Sequence, residues 1–411
     1  METAVNTSEQ FVYQICRKSF LSFWSYLNPQ GKSPGKELCD ILVVCDPHIL
    51  IISVKDVRYK DTGRVRVDSR RWERKAVDES VKQILGAQRW LDGASCPIRK
   101  DGTKGLPLPP KDRRVYHRIA IAFGADRKAG LSIAIGEPSS GEMVHVMDEQ
   151  SCITLLRHLD TITDFTRYLT DKEGLFRRGV GVHMDGGEED LLAVYLHGNR
   201  TFPKGNLLML QENLWNSVCQ KPEFLAKLRE DKDSYVWDRL IEFLAIRPDA
   251  EDWEFDGSLP ELELTLRTMA MEHRFSRRLL GKDLKDFLEQ ANAGKVRARC
   301  VQSMQGVTYV FLSSSPHEEN AYRIAELGCR CHAAIGRFPD SKTIVGIDIA
   351  RGTGIPGKRA TNFCCIKAKK WTKADLARAK ECQDKFGYFK SPVIHREHAD
   401  EYPAQKVKRH A

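Results

Sequence analysis

Residues 35–55 read GKELCDILVVCDPHILIISVK. Two runs of branched apolar residues, Ile41–Val44 and Ile49–Ile52, flank Cys45-Asp46-Pro47-His48, which has turn chemistry. The stretch predicts a β-hairpin. Neither run alternates apolar with polar residues, so both strands are expected to be covered on both faces. That places the hairpin at the heart of an α/β layer structure. Polar residues gather at its open end: Glu37 and Asp40 lead into the first strand, and Ser53, Lys55 and Asp56 end the second. In a tight antiparallel hairpin the start of one strand lies beside the end of the next, so Asp40 and Lys55 are expected to be neighbours.

The flanks supply the cover. Residues 8–27 predict an amphipathic helix, with Ser8 as N-cap and an apolar stripe of Phe11, Ile15, Phe20, Phe23, Trp24 and Leu27. Glu9 sits in its first turn, the favourable end of the helix dipole. After Lys55 a polar segment carries Arg58, Lys60, Arg64, Arg66, Arg70 and Arg71, either a solvated loop or a surface that follows a phosphate backbone. A second helix is expected over Arg71–Leu91, with Glu73, Ala76, Val77, Ser80, Ile84, Ala87 and Leu91 on one face. Those small residues let the helix lie close to the sheet. Glu73 falls on the buried side, where an acid is costly without work or a partner. Residues 92–114 read as a Gly/Pro-rich surface loop. Strands at His117–Phe123, Leu131–Ile135 and Glu142–Met147 complete a mixed sheet, on which a helix over Gln150–Leu169 packs; His158, Asp160 and Asp164 along it read as solvated.

An acid before a hairpin, followed by a strand ending in acid-x-Lys, is the pattern of the PD-(D/E)xK, or restriction-endonuclease-like, nuclease superfamily, which residues 5–170 resemble. Asp40 matches the first acid, and Ser53-Val54-Lys55 occupies the (D/E)xK position. Two departures stand out: Cys39 replaces the proline, and Ser53 replaces the second acid. The resemblance implies a restriction-endonuclease-like mixed sheet flanked by helices. It also implies a Mg²⁺ (or Mn²⁺) site at Asp40, completed by Glu73 or Glu37. Some restriction endonucleases with Ser-x-Lys recruit the missing carboxylate from the following helix, which points to Glu73. It further implies a role for Glu9, as the extra glutamate of the preceding helix, and for Gln83, as a helical glutamine near the reacting phosphate.

Beyond residue 172 the character changes. The reading is a nuclease-like domain over 1–172, a mostly helical middle over 173–292, and a small α+β domain over 293–411. In the middle, Glu173–Asp190 is a linker and Leu191–Leu210, Glu223–Phe243 and Leu262–Ala291 are mostly helical. The last part predicts a hairpin over Lys295–Ser313 turning at Gln305-Gly306 and a helix at Glu318–Leu327. Strands follow at Cys331–Gly336, Thr343–Ile349 and Phe363–Lys367, then a helix at Lys373–Phe386. Asp249–Asp256 reads as an exposed acidic loop. Cys329-Arg330-Cys331-His332 lacks zinc-knuckle spacing. The Gly352–Arg359 segment lacks P-loop spacing, so Lys358 and Arg359 are candidates only for a basic loop touching nucleic acid.

The whole chain of 411 residues, 41% hydrophobic and 29% charged, has ordinary globular composition. No apolar run approaches membrane-spanning length, and no secretory signal opens it. Twelve cysteines, several inside apolar runs, suggest reduced thiols in the cytoplasm. A net charge of +9 favours a polyanionic partner. The expected activity is metal-dependent phosphodiester cleavage, on DNA, in a bacterial restriction or anti-phage defence setting. The later regions are expected to regulate, select substrate, dock a protein partner or form a homo-oligomer. Two alternatives stay open: a degenerate nuclease fold that only binds nucleic acid, and an interaction subunit of a larger complex.

Overall fold

Helix α1 (Thr7–Phe20) ends two residues before a short 3₁₀ turn, Ser22–Trp24, and strand β1 (Ser25–Leu27) follows. The apolar stripe expected to continue one helix to Leu27 is thus shared between a helix and an edge strand. This computed structural model describes residues 7–31, 35–125, 130–136, 142–246, 258–315, 317–351, 361–390 and 398–403. The Asp249–Asp256 loop, Lys358, Arg359 and the basic last residues lie outside the described residues.

The hairpin consists of β2 (Ile41–Cys45) and β3 (His48–Asp56), paired antiparallel with Ile41 opposite Ile52 and Cys45 opposite His48. Every residue of β2 is buried. On one face Leu42, Val44, Ile49 and Ile51 pack beneath a helical layer made of α2 (Val65–Glu73), a single π turn (Arg74–Asp78) and α3 (Glu79–Gly93). That layer presents Trp72, Ala76, Val77, Ile84, Ala87 and Leu91. Its small residues allow close approach, and each large apolar side chain buried contributes about 1.5–3 kcal/mol. The opposite face is covered by α1 and later helices.

Strand β4 (Val115–Phe123) runs parallel to β3, with Lys55 level with Ala122. The two-residue β5 (Ala134–Ile135) and β6 (Val144–Asp148) complete a six-stranded mixed sheet in the order β1-β2-β3-β4-β6-β5. The predicted strand over Leu131–Ile135 shrinks to its last two residues. The predicted helix over Gln150–Leu169 is two helices, α4 (Glu149–His158) and α5 (Ile162–Arg177). They are broken where Thr161 caps the second by accepting the Asp164 N–H. Asp160 and Asp164 are buried, not solvated; Asp164 also takes a 2.8 Å ion pair from Arg200.

The first of two compact units extends to Lys221. It includes β7 (Gly181–Met184), α6 (Glu188–His197), β8 (Leu207–Leu210) and α7 (Leu214–Cys219). The stretch expected to be a linker, Glu173–Asp190, is therefore structured. Lys172 beside it is fully buried, 2.6 Å from Glu188. Within Leu191–Leu210, read as helical, β8 pairs in parallel with β7.

The second unit, Pro222–Ala411, begins with α8 (Pro222–Glu230), α9 (Tyr235–Ile246), α10 (Leu259–Ala270) and α11 (Arg274–Asn292). Then come β9 (Ala298–Gln302), β10 (Thr308–Leu312), α12 (Asn320–Arg337), β11 (Thr343–Ile349), β12 (Thr361–Lys367) and α13 (Lys373–Phe386). The four strands form one sheet in the order β12-β11-β10-β9. Cys331–Gly336, predicted as a strand, is the second half of α12. Its Leu327, Cys331, Ala334 and Ile335 recur at helical spacing and pack on Val310, Leu312 and Ile344.

Candidate functional site

Alternation along β3 puts Ile49, Ile51, Ser53 and Lys55 on one face. The stripe begins apolar beneath α3 and ends polar at the sheet edge. Asp40, one residue before β2, lies at the same end and is almost fully buried. Lys55 Nζ stands 3.8 Å from Asp40 Oδ2. The same carboxylate oxygen accepts the Val54 backbone N–H, so the strand itself fixes its orientation.

Gln83 of α3 joins the two acid-position residues. Its Nε2 points at Asp40 Oδ1 across 3.4 Å, and its Oε1 accepts a 2.8 Å hydrogen bond from Ser53 Oγ. Ser53 Oγ also lies 3.2 Å from Ser80 Oγ, and Ser80 in turn donates to the Ala76 carbonyl. The hydroxyl at the position of the second acid is thus held by the helix. Ser80, read from the sequence only as a small packing residue, belongs to this network.

Glu37 completes a carboxyl pair. Burial, with a hydrogen bond to Asp40 and repulsion from Asp40 and Glu9, pushes its carboxyl up to about 8; Lys55 opposes the shift. Near neutral pH Glu37 is therefore largely protonated and hydrogen-bonded to Asp40. Its Oε1 is buried with no hydrogen-bond partner. Glu9 is buried close enough to act on Glu37. The start of α1 is tied to this corner by a 2.5 Å hydrogen bond from Ser8 Oγ to Asp56 Oδ2.

Glu73 does not join the group. The π turn inserts an extra residue into its coil and rotates the preceding stripe, so Trp72 takes the buried position and donates 2.6 Å to the Val57 carbonyl. Glu73 is left half-buried, about 10 Å along the helix from Ser80. The expected recruitment of a carboxylate from this helix is replaced by recruitment of Gln83.

Among the described residues no group of three or more His, Cys, Asp or Glu side chains is arranged to hold a metal ion. The donor set is the Asp40–Glu37 pair with its orphaned oxygen. Two hard carboxylates fit Mg²⁺, which commonly takes one or two and fills its octahedron with waters and substrate phosphate oxygens.

Beside this corner, Arg58, Lys60, Arg64, Arg66, Arg70 and Arg71 are exposed, as are Arg74 and Lys75. None forms a salt bridge among the described residues, because the acids nearby bond inward. Asp61 accepts the Gly63 N–H, and buried Asp68 accepts the Thr62 N–H at 2.8 Å. The segment is anchored to the sheet by Tyr59 N donating to Gly124 O at 2.8 Å. A cavity of about 980 Å³ opens in this unit at the ends of β4 and β6; its lining includes Trp72, Ala122, which is level with Lys55, and the acids Asp148, Glu188, Glu189 and Asp190. Glu188 there is paired with buried Lys172 and Asp190 accepts the Trp215 N–H, so these acids are engaged within the fold, whereas the Asp40 corner sets a partly exposed lysine beside its carboxylate.

No helix among the described residues is long and apolar enough to cross a membrane. Comparison of the chain with protein-family models, curated proteins and solved structures finds no match.

Proposed function

We propose that the first unit is a metal-dependent phosphodiesterase acting on nucleic acid, with DNA as the substrate and the restriction-endonuclease-like fold as its frame. The observation that carries this reading is the meeting of Asp40, Lys55, Ser53, Gln83 and Glu37 at one sheet edge. They come from three separate stretches of chain. A bound Mg²⁺ or Mn²⁺ would supply Lewis-acid polarisation of a phosphoryl oxygen and lower the pKa of a bound water. Asp40 and Glu37 would hold it, with Glu37 giving up its proton. Lys55, partly exposed beside buried Asp40, directs its ammonium to the charge that grows on the phosphoryl oxygens at the transition state. Gln83 keeps Asp40 and Ser53 in place through both ends of its amide. The exposed arginines from Arg58 to Arg71 would follow the flanking phosphates.

A binding-only reading is favoured by one feature. Ser53, where an acid would add charge, is fully buried and bonded to Gln83. Titration of the metal-free full chain with Mn²⁺, followed calorimetrically, separates the two. The catalytic reading expects one site that is lost in Asp40→Asn and weakened at least tenfold in Glu37→Gln. Absence of saturable binding in the unaltered chain, with DNA present as well as absent, would leave the binding-only reading.

A further inference from the structure

We infer that the cleft between α1 and the edge strand β1 is a nucleotide subsite, seating one nucleotide of the substrate strand with its phosphate on Arg17 and Arg99 and its base against Phe23. The identity of the ligand rests on the phosphodiesterase reading; the anion-binding character of the cleft stands on its own lining.

The cleft has a volume of about 360 Å³, near the lower end of the ~300–1,000 Å³ typical of ligand pockets. That is room for one small ligand, not for a duplex. Two guanidiniums face it, and no carboxylate is among its described lining residues. The contrast with the acid-lined cavity elsewhere in the unit is one of sign: this one attracts an anion.

Both arginines lie over aromatic rings, and Arg99 is also hydrogen-bonded to the backbone. The Arg17 guanidinium lies over the Tyr13 ring at 5.8 Å, and that of Arg99 over the Tyr26 ring at 5.7 Å. Arg99 also donates 2.6 Å to the Lys104 carbonyl, and the Tyr26 hydroxyl accepts the Leu106 N–H at 2.9 Å. One nitrogen of Arg99 is used in this way and the rest of its fork remains for an oxyanion. Planar guanidiniums braced on rings lose little freedom when they bind phosphate in bidentate fashion. Phe23 is braced edge-on by the buried Trp24, with ring centroids 5.2 Å apart, and stays half-exposed at the cleft. A half-exposed ring is a stacking platform that any base can use. The exposed Gln14 adds an amide able to pair with a base edge.

Position ties the cleft to the proposed chemistry. Gln10 follows Glu9, whose charge acts on Glu37. Outside the cleft, Gln30 is bridged to both Glu37 and Ile98, the residue before the lining Arg99. Arg17 lies ~10 Å along α1 from Gln10, a distance spanned by a few nucleotides of strand.

The test uses the full chain in EDTA, with a fluorescently labelled short single-stranded DNA oligonucleotide followed by anisotropy over a salt series. Arg17→Ala and Arg99→Ala are each expected to weaken binding about tenfold. The slope of log affinity against log salt should shrink by about 0.7 for each arginine removed. Phe23→Ala should weaken binding at least fivefold without changing the slope. Arg17 is at an exposed helix position, so its substitution leaves folding intact even if Arg99→Ala loosens its loop. A double variant that binds like the unaltered chain, with the same slope, overturns the subsite. If that double variant loses the oligonucleotide while the unaltered chain never cuts DNA, the subsite stands and the phosphodiesterase reading falls. If Asp40→Ala abolishes cutting while the double variant still binds and cuts normally, only the subsite falls.

Discussion

Glu37, hydrogen-bonded to Asp40, keeps its proton well above the usual glutamate range, and that proton makes the site sensitive to pH. An unfolded glutamate titrates near 4.3, whereas burial and the Asp40 carboxylate hold Glu37 up to about 8. The folded state binds the extra proton between these values, so the stability this group lends is complete below the lower value and lost as pH rises through the upper one. Glu37→Gln, which keeps the hydrogen bond but cannot ionise, should abolish that loss. Urea unfolding should show the variant gaining about 1–2 kcal/mol relative to the unaltered chain between pH 5 and pH 8.5, after allowance for solvent screening of a half-exposed group. Parallel pH profiles would contradict the raised Glu37 carboxyl. Ser53→Ala leaves Gln83 Oε1 without its donor and should cost about 1–3 kcal/mol. Because Ser53 acts through Gln83, cleavage by that variant should fall less than tenfold, far less than in Asp40→Ala.

Secondary elements explain why some of these residues were legible from sequence and others were not. The hairpin announced itself through two unbroken apolar runs and a turn, and pairing then dictated that Asp40 and Lys55 meet. Gln83 lay beside the helical stripe, and its candidacy came from the family resemblance. Glu73 was misplaced because a π turn leaves no mark in apolar spacing: one inserted residue at Arg74–Asp78 hands the buried position to Trp72. The same ambiguity affects Cys331–Gly336, whose short run of small and apolar residues suits a strand or a helix until the flanking Leu327 fixes the period. Ser8 and Asp56 could not be paired from sequence, since nothing local links the start of a helix to the end of a strand 48 residues on. Trp72 now becomes the anchor of the basic segment. Trp72→Ala should cost about 3–5 kcal/mol in chemical denaturation, through the cavity and the lost bond to Val57. A cost below about 1 kcal/mol would mean that this layer does not rest on Trp72.

Across the first unit, a row of histidines, with His117 and His145 buried and His48 partly so, sets the acid limit of the fold. His48 Nδ1 and His117 Nε2 are 3.0 Å apart, and His145 Nε2 lies 3.2 Å from Glu173 Oε1. Burial is the main cause that lowers all three: His48 to about 4, against a pull upward from Asp46, and His117 and His145 further, with Lys172 and Arg118 adding repulsion at His145. An unfolded histidine takes its proton near pH 6.5. Stability is therefore intact above that pH and lost as pH falls below it, by about 1.4 kcal/mol per pH unit for each histidine. Denaturation midpoints should drop steeply between pH 6.5 and 5, and a flat profile there would refute the row. The division of the chain at Lys221 was the least legible feature, because buried Lys172 and Glu188 look in sequence like a charged linker. If the proposed chemistry belongs to the first unit, the fragment 1–221 should fold and keep whatever nuclease activity the full chain shows. The most direct test is cleavage of supercoiled and linear DNA by the purified full chain with Mg²⁺, Mn²⁺ or EDTA, beside Asp40→Ala and Lys55→Ala. The account predicts metal-dependent cutting that falls at least a hundredfold in both variants. Cutting that survives in both, or no cutting by a folded chain under any of these conditions, would contradict it.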